Sequence, residues 1–284
     1  MTANKNSLPS SINHPPSTIP LLPRIPQANS FRIGVTSYVY PADILPNVER
    51  LAGRVDDIEL VLFESEDTAN LPSPEVVARL AALGRQHRLT YTIHFPTDRK
   101  LGSADAAERA AHVAQMRRII TLLAPLPIHG YILHFEGVGP EASAARVCEW
   151  QRDLAAELPR LLEGVAPELF CVESLSYPFE WCAPLLDRFG LSVCADVGHV
   201  WRYGGDVPDF LRAWLPRTRV IHLHGERDGH DHLALTELAP GRLESCLRAV
   251  SGFSGVVTLE VFDYTAARLS IERLTQCLNH ARAV

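Results

Sequence analysis

From Phe31 onward the chain alternates between two patterns of apolar residues. Short runs rich in β-branched and aromatic residues predict buried strands, and Ala-, Leu- and Arg-rich stretches with apolar residues at helical spacing predict helices. The predicted strands span residues 31–39, 57–64, 89–95, 130–136, 169–175, 191–197, 219–224 and 255–262. The predicted helical stretches include residues 74–86, 104–123, 141–163 and 266–280.

The order of these elements predicts an α/β fold, a (β/α)8 TIM barrel. Continuous apolar strands joined by helices indicate a parallel sheet that is covered on its outer face. Proline lies where several of the helices are expected to begin, at Pro72, Pro74, Pro140 and Pro178. Eight strand–helix units within residues 31–284 agree with the number of units and the chain length of a (β/α)8 barrel. An open doubly wound sheet is the alternative, but no GxGxxG motif or P-loop follows the first predicted strand.

Residues 1–30 are richer in Pro and Ser than the rest of the chain and show neither helical nor strand periodicity. We therefore expect a flexible N-terminal arm over residues 1–30 and a catalytic barrel domain over residues 31–284. The alternative is that the LLPRIP segment packs on the barrel through Leu21, Leu22 and Ile25. The start of the arm has no apolar stretch behind a basic segment, so no secretory signal is predicted.

Composition restricts the classes of protein that this chain can belong to. Of the 284 residues 46% are hydrophobic and 21% are charged, which excludes a wholly disordered chain. No apolar run approaches the ~20 residues that a membrane-spanning helix needs, so a cytoplasmic protein is expected. A formal net charge of -6 makes a nucleic-acid partner improbable. Six cysteines without CxxC pairs indicate neither a disulfide framework nor a thiolate zinc site.

Histidines and carboxylates recur where the predicted strands end. In chain order they are His94, His134, Glu173, Asp196, His199, His222, His224, His230, Asp231, His232 and Glu260. The C-terminal ends of barrel strands meet at one mouth, so we expect these side chains to converge there. Imidazole and carboxylate ligands without thiolates suit Zn, Mn, Fe or Co. Each histidine taken alone is more often a core or capping residue, so the prediction depends on the repeated position.

The remaining histidines do not lie at predicted strand ends. His14 lies in the arm, and His87, His112 and His280 lie in helical stretches, where we expect surface positions. His129 precedes the fourth predicted strand and is expected at the opposite face of the barrel.

The order of the strand-end residues resembles the AP-endonuclease-type, xylose-isomerase-like barrel superfamily over residues 31–284. Four segments are similar to a more specific group, the cobamide-remodelling phosphodiesterase family. They are TSYVYPADILPNVERLAGRVDDIELVLFE, YTIHFPTD, ADVGH and HLHGERDGHDHL. The first of these segments is long and unusual, whereas ADVGH is shared more widely.

This resemblance implies a metal-dependent hydrolase that cleaves a phosphoester bond in the nucleotide loop of adenosylated cobamides and releases a cobinamide phosphate. Such a reaction lets a cell rebuild the corrinoid with another lower ligand. The metal positions carried over from the superfamily are His94, His134, Glu173, Asp196, His199, His222, His232 and Glu260. The superfamily commonly has Asp-x-His after the seventh strand, whereas this chain has His230, Asp231 and His232, which leaves the third metal position open.

Roles can be assigned within this set because two or more divalent metals would clamp a phosphodiester and activate water. Glu173 and Glu260 are expected to bridge metals. His94 and His134 are assigned to one metal, and Asp196 and His222 to the other. His199 and His232 are assigned to a third metal or to the substrate. The predicted catalytic residues are Glu173, Glu260, His199 and Glu64.

Loop residues after the strands provide candidate contacts to the substrate. Arg99 and Lys100 could meet a phosphate, although a solvated loop charge is the simpler interpretation. The aromatic candidates for corrinoid or base packing are Tyr38, Tyr177, Trp201 and Tyr203. Equally, these rings could only shield the mouth from water.

Three other functions remain open from the sequence. A DNA-repair endonuclease would need a basic groove, which the net charge of -6 disfavours. A sugar or sugar-phosphate isomerase or epimerase generally keeps fewer ligands around a single metal, and the additional histidines favour a phosphoesterase instead. A corrinoid carrier without catalysis would not require so many ligating side chains at one mouth.

Overall fold

Eight parallel strands close into a barrel in the computed structural model, which describes residues 18–25, 30–65 and 68–283. The barrel strands are β1 (Arg32–Thr36), β2 (Asp57–Val61), β3 (Thr90–His94), β4 (Ile128–Leu133), β5 (Phe170–Glu173), β6 (Ser192–Asp196), β7 (Thr218–Leu223) and β10 (Val256–Leu259). Their order around the barrel is β1-β10-β7-β6-β5-β4-β3-β2. Every predicted strand forms one of these strands, so the predicted TIM barrel is confirmed.

Helices connect consecutive strands and cover the outside of the barrel. They are α1 (Ile44–Leu51), α2 (Pro74–His87), α3 (Ala106–Leu123), α4 (Ala144–Leu162), α5 (Ala183–Phe189), α6 (Val197–Arg202), α7 (Val207–Trp214), α8 (Arg242–Ala249) and α9 (Tyr264–Ala283). The sequence explains why α2 begins at Pro74. The Ser73 side chain caps the helix by accepting a hydrogen bond from the Val76 amide, and proline is favourable in a first turn. The predicted elements do not include a two-stranded hairpin of β8 (Gly225–Arg227) and β9 (His230–Leu233), which follows β7.

The barrel interior is apolar on one side and polar on the other. Ile132, Cys171, Cys194 and Val220 form a small cluster that is separate from the main core between strands and helices. Buried polar residues of β2, β3 and β10 lie on the other side, and they are Asp57, Glu59, Thr92 and Thr258. Branched apolar side chains usually fill such a lumen. The buried polar side chains on this side of the lumen therefore lower the stability of the folded barrel.

Two β-bulges lie near the N-terminal end of the barrel, opposite the strand ends that carry the predicted site. The pairing of β3 with β4 skips His129, and the pairing of β6 with β7 skips Arg219. The Arg219 Nε donates to the His129 carbonyl at 2.5 Å, and the His129 Nε2 lies 3.2 Å from the Arg219 carbonyl. Each extra residue thus reaches a residue of a non-neighbouring strand.

Part of the predicted N-terminal arm contacts the barrel. Leu22 is fully buried, and its amide donates to the Tyr40 hydroxyl at 2.9 Å. Ile25 is also buried, and its amide donates to the Arg54 carbonyl at 3.1 Å. These contacts agree with the alternative in which the LLPRIP segment packs on the barrel, although Leu21 is exposed. Residues 1–17 lie outside the described residues, and the division at residue 30 stays a prediction.

One helical histidine is not a surface residue, contrary to the prediction. His112 is buried, with its Nδ1 3.0 Å from the Gln115 Oε1. Since α3 packs between α2 and α4, even polar residues on its flanks lose contact with water. His280 is exposed and His87 is half-buried, whereas His14 lies outside the described residues.

The His129 bulge predicts a pH dependence of stability. Burial lowers the pKa of His129 to about 4. The hydrogen bond to the Arg219 carbonyl opposes this shift, and the cations of Arg219 and Arg32 add to it. His129 therefore binds a proton more readily in the unfolded chain than in the folded protein. Neutral His129 contributes fully to the free energy of unfolding above about pH 6.5, and this contribution is lost as the pH falls toward 4. We expect the difference in unfolding free energy between the wild type and His129→Gln to shrink by about 2 kcal/mol across this range. Urea unfolding at several pH values measures it, and parallel profiles of the two proteins would contradict it.

Candidate metal centre

Three carboxylates lie almost completely buried at the C-terminal ends of the strands. Glu173 is the last residue of β5, Asp196 is the last residue of β6, and Glu260 directly follows β10. Their residues are 1%, 0% and 4% exposed. Charged groups are buried at this level only when they are paired or bind a cation.

His222 of β7 joins these three acids in one group of ligating atoms. Ligand atoms of Glu173, Asp196, His222 and Glu260 all lie within 4.8 Å of one another. The His222 Nδ1 is 3.1 Å from Glu260 Oε2, 3.7 Å from Glu173 Oε2 and 3.9 Å from Asp196 Oδ2. One imidazole nitrogen therefore faces three carboxylates, an arrangement that suits a divalent cation between them.

Glu173 also belongs to a second group, with His94 and His134. The His134 Nε2 lies 2.9 Å from Glu173 Oε2, and the His94 Nε2 lies 3.6 Å from the same oxygen. The Nδ1 of His94 is 3.0 Å from the Phe95 carbonyl, which can only accept a hydrogen bond. This contact places the hydrogen on Nδ1 and leaves Nε2 free to bind a cation.

The ADVGH segment positions the residues beside the sixth strand. The Asp196 side chain caps α6 by accepting a hydrogen bond from the His199 amide at 2.7 Å. The His199 Nδ1 then lies 3.1 Å from Asp196 Oδ2 and 3.3 Å from Glu173 Oε1. Gly198 permits this packing, because a Cβ at that position would lie 2.0 Å from the His224 ring.

His199, His224 and His232 form a third group, composed of imidazoles alone. The amide of His232 donates to the His224 Nδ1 at 3.0 Å, and the His224 Nε2 lies 3.2 Å from Asp196 Oδ1. The His224 Nδ1 also lies 3.2 Å from the Gly225 carbonyl, so both ring nitrogens of His224 have partners in the protein. His224 is fully buried and is therefore less accessible to a cation than His199 or His232.

The β8–β9 hairpin places His230, Asp231 and His232 in three different environments. His232 has a φ of 53° and directs its Nδ1 to the Glu260 carbonyl at 3.2 Å. Asp231 forms an ion pair with Arg202 and lies 3.8 Å from the His199 Nε2, whereas His230 is exposed. Of the three, His232 is the one within the group of ligating atoms.

Mutual charge stabilisation dominates the electrostatics of the cluster. Burial lowers the pKa of His134 and His199. The carboxylates of Glu173 and Glu136 outweigh this effect at His134, and those of Asp196 and Glu173 outweigh it at His199, so both pKa values are raised to about 10. Burial conversely raises the pKa of Glu173, and His134 and His222 overcome this and hold it well below its usual value. Cation binding would therefore release protons from the imidazoles.

Several buried polar atoms of the cluster accept or donate no hydrogen bond within the described residues. They include His134 Nδ1, His222 Nδ1 and Glu260 Oε2. Unpaired buried polar atoms are rare and costly unless water or an ion satisfies them. The donor set, with nitrogen and carboxylate oxygen atoms within bonding reach of common points, fits a divalent metal.

Sequence reasoning missed three side chains that contact this centre. Glu59 in β2 lies 2.8 Å from the His222 Nε2, and Glu136 lies 3.9 Å from the His134 Nδ1. Cys194 forms a further group with Glu173 and His222, although burial raises its thiol pKa well above the usual value and favours the neutral form. Strand alternation in DIELV could have indicated that Glu59 faces the same side as Asp57 and Val61.

Glu64, which the sequence predicts as a catalytic residue, lies apart from the ligating groups. Its carboxylate pairs with Arg118 and accepts from Gln115 at 3.1 Å. Its backbone pairs with Ala69 in an isolated bridge. These contacts direct the side chain toward α3, and its catalytic role stays a prediction.

The four predicted aromatic contacts divide into two pairs. Tyr177 and Tyr203 line a cavity of about 450 Å³ above the cluster, together with Lys100 and Glu136. Tyr38 accepts a hydrogen bond from Asn70 at 2.7 Å, and Trp201 is buried beneath Arg242. Within the described residues, neither Tyr38 nor Trp201 is part of the cavity wall.

The fold and these side chains define a TIM barrel whose C-terminal mouth carries a cluster of metal-ligating residue types. The chain belongs to the xylose isomerase-like TIM-barrel family, whose family model matches residues 51–279. Comparison with curated proteins gives no match. No helix in the described ranges is long and apolar enough to span a membrane.

Solved structures with the same fold include several sugar epimerases. A D-tagatose 3-epimerase-like protein shares 21% sequence identity at a TM-score of 0.73, covering 89% of this chain and 99% of that chain. L-ribulose 3-epimerase shares 17% at a TM-score of 0.68, covering 89% and 96%. A 3-keto-D-glucoside 4-epimerase from E. coli shares 13% at a TM-score of 0.65, covering 89% and 100%. At these identities the likeness concerns the fold alone.

The shared position of Glu173 predicts a severe loss of metal on its substitution. Glu173→Gln removes a charge that two groups of nitrogen and oxygen ligands have in common, so we expect metal affinity to fall by about 100-fold or more. Metal content after dialysis, combined with chelator competition, measures this loss. Glu64→Gln is the matched control and should keep the wild-type metal content. Equal metal content in Glu173→Gln and the wild type would exclude a centre built on Glu173.

Proposed function

We propose that this protein is a metal-dependent phosphodiesterase that hydrolyses the nucleotide loop of adenosylated cobamides and releases adenosylcobinamide phosphate. The observation that carries the phosphodiesterase assignment is the position of Glu173, which belongs to two groups of nitrogen and oxygen ligands at once. A carboxylate shared in this way is suited to bridge two cations. Two cations in one site suit phosphoryl transfer, because they can balance charge on both the attacking and the leaving oxygen.

The four acids that surround His222 support the same stoichiometry. Glu59, Glu173, Asp196 and Glu260 are all at most 4% exposed. With neutral imidazole ligands, two divalent cations would balance their four negative charges. A third cation at the His199, His224 and His232 group would have imidazole ligands, a donor set that zinc accepts, with the Asp231 carboxylate 3.8 Å from the His199 Nε2.

The bound metal ions would supply Lewis acidity and a water molecule of lowered pKa. The protein's own residues would hold and orient the reactants around them. His199 lies in the cavity wall above Glu173 and is within reach of a group bound in the mouth. The ammonium group of Lys100 lies at the rim of the same cavity, where it can attract a phosphodiester.

The corrinoid part of the proposal rests on the four sequence segments that resemble the cobamide-remodelling family. Three of them contribute side chains to the cluster: YTIHFPTD provides His94, ADVGH provides Asp196 and His199, and HLHGERDGHDHL provides His222 and His232. Tyr203 in the cavity wall is 51% exposed and offers an apolar face for a planar ring system, whereas Tyr177 is buried against Trp150 and Trp181. An exposed aromatic ring beside metal-ligating residues suits a ligand that combines a planar group with a phosphodiester.

A sugar or sugar-phosphate epimerase is the second candidate, and one observation favours it. Glu173, Asp196, His222 and Glu260 alone form a complete ligand set for a single cation. Several solved structures with this fold are described as sugar epimerases. Single-metal chemistry would leave the His94 and His134 side chains without a function, however, and this favours the phosphodiesterase.

Incubation of the metal-loaded protein with an adenosylated cobamide tests the proposal directly. We expect adenosylcobinamide phosphate as a product, identified by liquid chromatography and mass spectrometry, and a decrease of rate by a factor of about 100 or more in Glu173→Gln. The Glu64→Gln variant in the same assay tests whether Glu64 acts as a base, and a wild-type rate would exclude that role.

Two parallel reactions separate the alternatives. Ketose sugars and their phosphates report epimerase activity, and an abasic DNA duplex reports endonuclease activity. Turnover of a sugar without any corrinoid phosphate would replace the proposed substrate class. Stoichiometric corrinoid binding without turnover in metal-loaded protein would instead indicate a carrier.

A further inference from the structure

Glu59 and His222 form a completely buried contact across the barrel interior. The Glu59 Oε2 lies 2.8 Å from the His222 Nε2, and both residues are 0% exposed. Glu59 lies in the middle of β2, whereas His222 is the fifth residue of β7. These strands are not neighbours in the barrel, so no backbone pairing requires the two side chains to meet.

This contact determines which nitrogen of His222 can bind a cation. A carboxylate only accepts hydrogen bonds, so the hydrogen lies on the His222 Nε2. The other nitrogen, Nδ1, has no hydrogen-bond partner within the described residues and faces Glu260 at 3.1 Å. The Glu59 contact thus fixes both the ring orientation and the nitrogen that is directed toward the acidic group.

The burial of Glu59 is poorly explained by stability alone. Its second oxygen, Oε1, is buried and accepts no hydrogen bond from the described residues. A half-satisfied carboxylate in a barrel interior costs free energy, and an apolar side chain of similar volume would be cheaper at this position. Asp57, two residues earlier in the same strand, also has one buried oxygen without a hydrogen-bond partner among the described residues, but its other oxygen accepts from the Thr90 hydroxyl and not from a histidine.

We propose that Glu59 is a positioning residue of the metal centre, which orients His222 for coordination through Nδ1 and strengthens it as a ligand. The inference rests on the proposed metal-dependent function. Its physical basis is the effect of an outer carboxylate on a ligating imidazole: the partner fixes the tautomer and increases the basicity of the coordinating nitrogen. Loss of such a partner typically weakens metal binding by about 10- to 100-fold.

Two substitutions separate the hydrogen bond from the charge. Glu59→Gln keeps an oxygen that can accept from Nε2 but removes the negative charge. Glu59→Met removes both and leaves an apolar side chain of similar length. We expect metal affinity to decrease from the wild type to Glu59→Gln and further to Glu59→Met, with a total loss of about 10- to 100-fold.

Thr92→Val provides a matched control in the same layer of the barrel interior. Thr92 is paired with Glu59 in the β2–β3 register, is fully buried, and has a hydroxyl without a hydrogen-bond partner among the described residues. Valine has nearly the same shape. The control therefore perturbs the polarity of this layer without touching His222, and its metal affinity should equal that of the wild type.

The experiment uses the full chain and Co²⁺ as the probe. Chelator competition measures Co²⁺ affinity, the visible absorption of bound Co²⁺ reports its ligand geometry, and circular dichroism reports the fold of each variant. We expect Glu59→Met to fold, to bind Co²⁺ more weakly and to show an altered absorption spectrum. Neither catalytic turnover nor a substrate is needed for these measurements.

The outcomes distinguish this inference from the function on which it rests. If the wild type binds no Co²⁺, both fail. If the wild type binds Co²⁺ and the folded Glu59 variants bind it with the same affinity and spectrum, the positioning role alone is wrong. An equal loss in Thr92→Val, or failure of both Glu59 variants to fold while Thr92→Val folds, would also overturn the inference in favour of a structural role.

Discussion

The burial of several carboxylates within one barrel mouth is the constraint on which the rest of the site depends. Glu173, Asp196 and Glu260 end three different strands and are almost without contact to water. Like charges at such separations repel strongly in a medium of low dielectric constant, so positive charge must lie between them. In the metal-free protein His134 and His199 supply it as imidazolium ions, as their raised pKa values indicate. A bound cation would take over this function.

Much of the fold and part of the site follow from the sequence for simple physical reasons. Parallel strands buried on both faces give continuous apolar runs, and these identify all eight barrel strands. Residues at the ends of those runs must lie at one mouth, which is why His94 and Glu260 could be placed near each other without a structure. The β8–β9 hairpin was missed because β8 and β9, at Gly225–Arg227 and His230–Leu233, are too short for a periodic pattern.

Other features depend on contacts that sequence position does not encode. Glu59 lies inside a strand and not at its end, and its contact with His222 spans the barrel between strands that are not adjacent. Glu64 follows a strand as a ligand would, yet the local bridge to Ala69 and the Arg118 cation direct it toward α3. The exposure of a helical histidine such as His112 depends on how closely neighbouring helices pack. Each of these is a tertiary property.

The asymmetry of the barrel interior indicates how stability and function are divided in this molecule. Ile132, Cys171, Cys194 and Val220 fill one side with apolar atoms, whereas Glu59, Thr92 and Thr258 bring unpartnered oxygen atoms to the other. Selection for stability alone would replace those oxygens by apolar groups, because each buried unsatisfied atom costs about 1–3 kcal/mol. Their position below His222 and Glu260 connects the polar side to the metal-ligating cluster. We therefore interpret the polar side chains of the lumen as support for the metal-ligating residues, although they lower the stability of the barrel interior.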